Sequence, residues 1–303
     1  MRKLIESVPN FSEGRREEIV KQIVREAEET DGVWVFDWSM DHDHNRSVIT
    51  IVGDPQAVGD AVVKMSKKAT ELIDLTHHTG EHPRMGAVDV IPFVPIKGTT
   101  MDECIELSKE VGKRIGEELK IPVYLYERSA TKPQRENLAD IRKGEFEGFF
   151  EKIKSPEWVP DFGPDEVHPT AGVVAVGARE YLIAFNVNLG TNDIKIAEAI
   201  AKAVRNSSGG YRFVKAIGVD LREKGIVQVS MNMTNYKKSP LYRVFETIKS
   251  EADRYGVKVV GSEIIGMIPM DTLLQTAKFY LKIDDITDDK VIEDKLLDEL
   301  GNS

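Results

Sequence analysis

The sequence predicts an α+β fold of two pseudo-duplicated halves. Two observations carry that expectation. In the C-terminal half, apolar runs and amphipathic stretches alternate in the order β-α-β-β-α-β. The N-terminal half opens with the same rhythm. That order is the split βαβ, or ferredoxin-like, order. The expectation is therefore two ferredoxin-like α/β sandwich subdomains, residues 1–178 and 179–303.

In chain order, Leu4 to Val8 reads as a strand. Ile19, Ile23, Val24 and Ala27 recur at helical spacing. Val33 to Phe36 and Ser47 to Val52 read as two strands. Asp54-Pro55 supplies a cap and a first-turn residue for a helix lined by Val58, Val62, Met65 and Leu72. A strand near Val88 to Val94 completes the first set. The capping box Thr100-x-x-Glu103 opens a further helix to about Leu119, and Pro122 to Tyr126 reads as a strand. Residues 128–172 hold Pro133, Pro156, Pro160, Pro164 and Pro169 and read as a connector with some structure. Phe146, Phe149, Phe150 and Trp158 argue against disorder, and the length suggests a lid or a cleft wall. In the second half the strands are Tyr181 to Val187, Phe213 to Val219, Ile226 to Met233 and Val257 to Val260. The helices are Asn192 to Arg205 and one opened by Pro240. Beyond Asp284, Ile292, Leu296, Leu297 and Leu300 predict a packed terminal helix with an acidic first turn.

Composition narrows the function. The 303 residues carry 41 basic and 51 acidic side chains, a formal net charge of -10, which disfavours a general nucleic-acid surface. Cys104 is the single cysteine, so no intrachain disulfide forms and a reducing compartment is expected. Its place in an amphipathic pattern predicts an inert core thiol. No signal-peptide core follows the first residues and no run of about 20 apolar residues occurs. The expected location is the cytoplasm, with no membrane partner. A G-x-G-x-x-G fingerprint and a Walker sequence are both missing, and Asn206 to Gly210 reads as a flexible turn. Tyr211, Phe213, Met231 and Met233 read as packing residues.

Chemistry concentrates in two segments. Five of the six histidines fall within 41 residues, in Asp41-His-Asp-His-Asn-Arg46 and Asp74 to Asp89. Histidine titrates near neutrality, so proton transfer and metal binding are the two questions raised. Pro83 restricts the backbone of His82, Arg84 adds an anion or carbonyl binder, and Gly86 relieves crowding behind it. His82 is the candidate general acid-base; a structural or metal-ligating histidine are the alternatives. A metal would draw on His42, Asp43, His44, His78 and His82, but Gly80 and Pro83 break the helix that a His78/His82 pair needs, and no known spacing signature results. Arg46 and Asn45 offer donors for a carboxylate or a ring edge, against a simple Arg46–Asp43 turn salt bridge. Asp37 and Asp89 are placed to orient histidines or accept substrate N–H groups. Asparagine and glycine recur where a strand gives way to a helix, in Val8-Pro-Asn-Phe-Ser-Glu-Gly14 and Phe185-Asn-Val-Asn-Leu-Gly190. Ordinary turn chemistry and a pair of ligand-facing loops both fit.

Five segments together carry a resemblance: Glu6-Ser-Val-Pro-Asn-Phe-Ser-Glu-Gly14, Asp43-His-Asn-Arg-Ser-Val48, His78-Thr-Gly-Glu-His-Pro-Arg-Met-Gly-Ala-Val-Asp-Val-Ile-Pro-Phe-Val-Pro95, Val176-Gly-Ala-Arg179 and Leu182-Ile-Ala-Phe-Asn-Val-Asn188. The sequence resembles the formiminotransferase part of the glutamate formiminotransferase family. The resemblance implies transfer of a formimino group from N-formimino-L-glutamate to N5 of tetrahydrofolate, in histidine breakdown and one-carbon metabolism. It implies two ferredoxin-like subdomains with a cleft, a homodimer, and His82 as the catalytic histidine. The substrate-binding set expected with it is Asn10, Asp43, His44, Asn45, Arg46, Arg84, Asn186 and Asn188. Tetrahydrofolate, including polyglutamylated forms, enters as acceptor substrate, and no metal is expected. A conjoined cyclodeaminase domain has no room in 303 residues. Formyl-glutamate or formiminoglycine as donor, a noncatalytic folate-binding module and a metal hydrolase are the competing readings.

Overall fold

A computed structural model describes residues 3–287 and 290–301, with the backbone alone for 297–301. By internal contacts the chain divides into two units, residues 1–179 and 180–303. Each carries its own sheet and its own apolar core. The fold is thus α+β, with two sheet-bearing subdomains and an element order that repeats.

In the first unit the opening strand is broken at Val8-Pro9 into β1 (Leu4–Ser7) and β2 (Asn10–Phe11). Both pieces pair antiparallel with β4 (Arg46–Gly53) and with β5 (Val88–Lys97). Strand β3 (Val33–Asp41) adds to the outside of β4 as a hairpin. The sheet order β5-β1-β4-β3 puts the first strand in the middle, so the loop after β2 and the β3–β4 turn lie on neighbouring strands. Helix α1 (Glu17–Glu28) buries Ile19, Val20, Ile23, Val24 and Ala27, an i, i+4 stripe facing the sheet. Helix α2 (Pro55–Leu72) starts where Asp54 Oδ1 accepts the Gln56 N–H at 3.0 Å. Helix α3 (Met101–Glu118) starts at the reciprocal Thr100–Glu103 capping box. Each fully buried aliphatic or aromatic side chain contributes about 1.5–3 kcal/mol.

The rest of the first unit departs from the simple repeat. Strand β6 (Val123–Glu127) is followed by helices α4 (Leu138–Arg142) and α5 (Glu145–Lys152), then by β7 (Val174–Ala178). Strand β7 was not expected from the sequence. It lies between β5 and β6, parallel to both. The connector is packed: Phe146 and Phe149 are buried in the core, Trp158 is half-buried against it, and Phe150 is exposed. Arg135 is fully buried, held by Asp161 and by the carbonyls of Glu157 and Val159.

The second unit runs β8 (Ile183–Leu189), α6 (Ile194–Val204), β9 (Val214–Leu221), β10 (Ile226–Met233), α7 (Leu241–Arg254) and β11 (Val259–Ile265). Its antiparallel sheet has the order β11-β8-β10-β9, again with the first strand in the middle. Ile183, Phe185, Val187 and Leu189 face the core, so Asn186 and Asn188 face the other side. Helix α8 (Met270–Leu281) was not expected from the sequence. Helix α9 (Ile292–Gly301) is present, but the expected packing is corrected: Ile292 is 80% and Leu296 56% exposed. The side chains of Leu297 and Leu300 lie outside the described residues. Cys104 is fully buried, and burial pushes its thiol up to about 12, as expected of an inert core residue. Among the described residues, no helix is long and apolar enough to cross a membrane.

Candidate active site

Three loops of the first unit meet at one end of the sheet: residues 12–16, the β3–β4 turn and residues 74–86. Asn45 joins them. It adopts φ 49°, a left-handed conformation that asparagine tolerates. Its Oδ1 accepts the Gly14 N–H at 2.9 Å, and its Nδ2 donates to the Thr79 carbonyl at 2.9 Å. The Glu81 N–H adds a bond to the Asp43 carbonyl at 3.1 Å. Glycine is required at two of these crossings. A Cβ on Gly14 would collide with the Asp41 carbonyl and the Arg46 amide, and one on Gly80 would lie 2.8 Å from Asn45 Cβ. Buried Glu13 accepts the N–H groups of Arg15 and Arg16 at 2.9 and 2.8 Å, ahead of α1. Burial alone would raise its pKa, but the bonds from Arg16 and Arg15 outweigh that and hold it low.

The Arg84 guanidinium is buried, with Nη1 donating to Glu145 Oε2 at 3.0 Å and to Glu147 Oε2 at 2.8 Å, and Nη2 donating to Glu147 Oε1 at 2.6 Å. Its Nε donates to His78 Nδ1 at 3.2 Å. His78 Nε2 lies 2.9 Å from the Asn45 carbonyl. Burial, with the Arg84 charge, holds the His78 pKa below its ordinary value, although the Asn45 carbonyl favours the proton.

His82 is half-buried on the same loop. Its pKa is pushed from 6.5 down to about 3 by burial first, then by the charges of Arg46, Arg142, His44 and His78. The near-neutral titration expected from the sequence is corrected: burial and neighbouring positive charge keep the imidazole neutral at pH 7. Among the described residues Arg46 forms no ion pair, and its buried Nε has no hydrogen-bond partner. Burial, then Arg142, lower the Arg46 pKa, and Asp41 and Asp89 only partly oppose them. The alternative Arg46–Asp43 turn salt bridge does not form; Asp41, not Asp43, is the nearby carboxylate. Asp89 is buried and orients no histidine. Its Oδ1 accepts the Met85 N–H at 2.8 Å and its Oδ2 accepts Arg142 Nε at 2.8 Å. A buried anion thus anchors both the end of the histidine loop and a second guanidinium.

The other expected residues divide. His44 Nδ1 lies 3.0 Å from Asp41 Oδ2. Asp43 is exposed at the tip of the turn, as are His42 and, on its own loop, His77. Asn10 Nδ2 donates to the Val8 carbonyl at 3.0 Å. In the second unit, Asn186 Nδ2 donates to Glu263 Oε1 at 3.1 Å, and Gln228 Nε2 donates to Asn188 Oδ1 at 2.9 Å and to Glu263 Oε1 at 2.8 Å. His168 accepts the Ala171 N–H at 3.0 Å in a turn of its own. Two expected ligands have their polar atoms committed within the protein: the Arg84 guanidinium to Glu145, Glu147 and His78, and the Asn45 amide to Gly14 and Thr79. Sequence reasoning did not find Arg142, Glu145 and Glu147. They sit in the connector, and only tertiary structure brings them to the histidine loop. No group of three or more His, Cys, Asp or Glu among the described residues is placed to hold a metal ion.

Comparison with known proteins shows the family. Residues 4–179 match the family described as the formiminotransferase domain, N-terminal subdomain, and residues 184–300 match the formiminotransferase domain. A glutamate formimidoyltransferase of Streptococcus pyogenes is 54% identical over 98% of this chain and all of its own length. One of Thermoplasma acidophilum is 48% identical over 97% of each chain. The mouse formimidoyltransferase-cyclodeaminase is 42% identical over 92% of this chain and 53% of its own length.

Proposed function

The chain belongs to the formiminotransferase family and is a transferase of formimino groups; from that premise we propose that it moves the formimino group from N-formimino-L-glutamate to N5 of tetrahydrofolate. Both units are read as ferredoxin-like sandwiches, and the active protein as a homodimer. The observation that supports the site assignment is half-buried His82 in the field of Arg46, whose buried Nε has no hydrogen-bond partner among the described residues.

The chemistry follows from these groups. N5 attacks the amidine carbon, a C–N bond forms, and the adduct becomes tetrahedral. N5 then loses its proton to neutral His82. The imidazolium returns that proton to the glutamate nitrogen as the old C–N bond breaks, which releases L-glutamate and 5-formiminotetrahydrofolate. Arg46 takes a donor carboxylate, because its charge is half-buried and its Nε has no hydrogen-bond partner among the described residues. That carboxylate offsets the charge that depresses His82, so the imidazole gains basicity when the donor is bound. Arg142, fixed by Asp89, lends positive potential to the same place. Arg84 leaves the substrate-binding set and becomes a support. Asn186 and Asn188 stay in the proposal as polar groups on the face of the second sheet away from its core.

Steady-state turnover with formiminoglutamate, formyl-glutamate and formiminoglycine, each with tetrahydrofolate, tests the donor. The highest kcat/KM is expected for formiminoglutamate. A higher value for either of the others would replace it. Replacing His82 with alanine should lower kcat by about 10²- to 10⁴-fold while folate affinity holds within a few fold. Folate binding without turnover of any donor would instead favour a noncatalytic folate-binding module.

A further inference from the structure

Resting on the reading of His82 as proton carrier, we infer that His78 is a positioning residue. It is a neutral imidazole locked in its Nε2–H form by Arg84, and it closes the loop that carries His82 and pins it to the turn that carries Arg46.

The lock follows from donor arithmetic. Arg84 Nε is always protonated and can only donate, so His78 Nδ1, 3.2 Å away, must accept. The proton of the neutral ring is therefore on Nε2, where it donates to the Asn45 carbonyl at 2.9 Å. A doubly protonated ring would set Nδ1–H against the Arg84 N–H. The guanidinium cannot turn away, because Glu147 grips it through both terminal nitrogens and Glu145 through one. The Phe146 N–H also donates to the Arg84 carbonyl at 2.9 Å. Those acidic residues lie in the first turn of α5, which is entered through Gly144 at φ 94° and opens on Glu145 itself at φ 56°. A non-glycine residue in the left-handed region is uncommon, and here that turn presents both carboxylates to one guanidinium.

The placement explains what the lock is for. The His78–Arg84 bond joins the two ends of the segment whose interior holds His82. The His78–Asn45 bond then ties that segment to the residue next to Arg46. Relative placement of proton carrier and anion receptor thus depends on a ring whose hydrogen bonds go to Asn45 and Arg84. A side chain that accepts at one end and donates at the other, without titrating, can replace it. Glutamine meets that description, and leucine does not.

The test compares full-length H78Q, H78L and H82A with the wild type. H78Q should keep kcat within about threefold, while H78L should lose about 10- to 100-fold in kcat with a KM change of only a few fold, the cost of misplacing a reacting group by about 1 Å. Equal loss in H78Q and H78L, or wild-type kcat in both, overturns the inference. An inactive H82A beside a fully active H78L sinks the positioning role alone, whereas an active H82A sinks the proton-carrier reading. Nitrogen-15 imidazole NMR of the wild type keeps the inference testable if H78L fails to fold. His78 should keep the Nε2–H form as pH falls through the ordinary imidazole value. Groups facing it are Arg84, Glu147, Glu13, Arg15 and His82. A ring protonated on Nδ1, or one that titrates near 6.5, overturns the lock.

Discussion

The side-chain oxygen of Asn45 accepts the backbone N–H of Gly14 at 2.9 Å, so one amide joins two loops that are 31 residues apart in sequence. Replacing Asn45 with alanine leaves that N–H and the Thr79 carbonyl without their partner. The expected cost is about 1–3 kcal/mol for the buried N–H, read as a lower urea midpoint at unchanged slope. Turnover should fall as well, because the turn next to Arg46 loosens. A variant equal to the wild type in both measurements would show that the clasp is idle.

Arg46 should trade stability against function. Its charge is half-buried and forms no ion pair among the described residues, so methionine in its place removes a desolvation cost that Asp41 and Asp89 only partly offset. The melting temperature of R46M is expected to equal or exceed that of the wild type. The KM for formiminoglutamate should rise and product inhibition by L-glutamate should weaken. A destabilised R46M with unchanged KM would mean that the guanidinium serves the fold.

Asp89 should behave in the opposite way. Removing its carboxylate strands the Arg142 guanidinium and the Met85 N–H together. D89A is expected to cost about 3 kcal/mol or more, in the range for breaking a buried ion pair. Chemical denaturation measures it directly. A loss below about 1 kcal/mol would contradict the anchoring role.

Acid sensitivity follows from His82. Its pKa is about 3 in the folded chain and 6.5 as an unperturbed imidazole. Between those values the unfolded state binds more protons, so stability rises with pH in that window. The contribution is whole above about pH 6.5 and is lost as pH falls toward about 3. Replacing His82 with glutamine should flatten that acid limb. Urea midpoints from pH 7 to pH 4 check this, and parallel curves for the two proteins would argue against a strongly depressed His82.

Much of the fold was legible because its helices carry local signatures. The α1 stripe, the Asp54-Pro55 start and the Thr100–Glu103 box each need only neighbouring residues. Strand β7 was hidden because its partners, β5 and β6, are distant in sequence and a parallel strand buried on both faces shows no alternation. His82 and Arg46 were legible as chemistry. The occupation of Arg84 was not, because a guanidinium reads alike whether its carboxylate comes from a substrate or from Glu147. The depressed pKa of His82 was invisible for the same reason: part of it comes from Arg142, sixty residues downstream.

The late insertion of β7 has a consequence for synthesis on the ribosome. β5 and β6 are both made earlier, yet neither pairs with the other; Val174–Ala178 must slide between them. Until Ala178 has left the exit tunnel, the nascent chain presents a gap in its sheet bordered by two unpaired apolar edges. Such edges invite pairing with other chains. A stalled chain ending near residue 170 should therefore bind holdase chaperones, and one extended some tens of residues past Ala178 should release them.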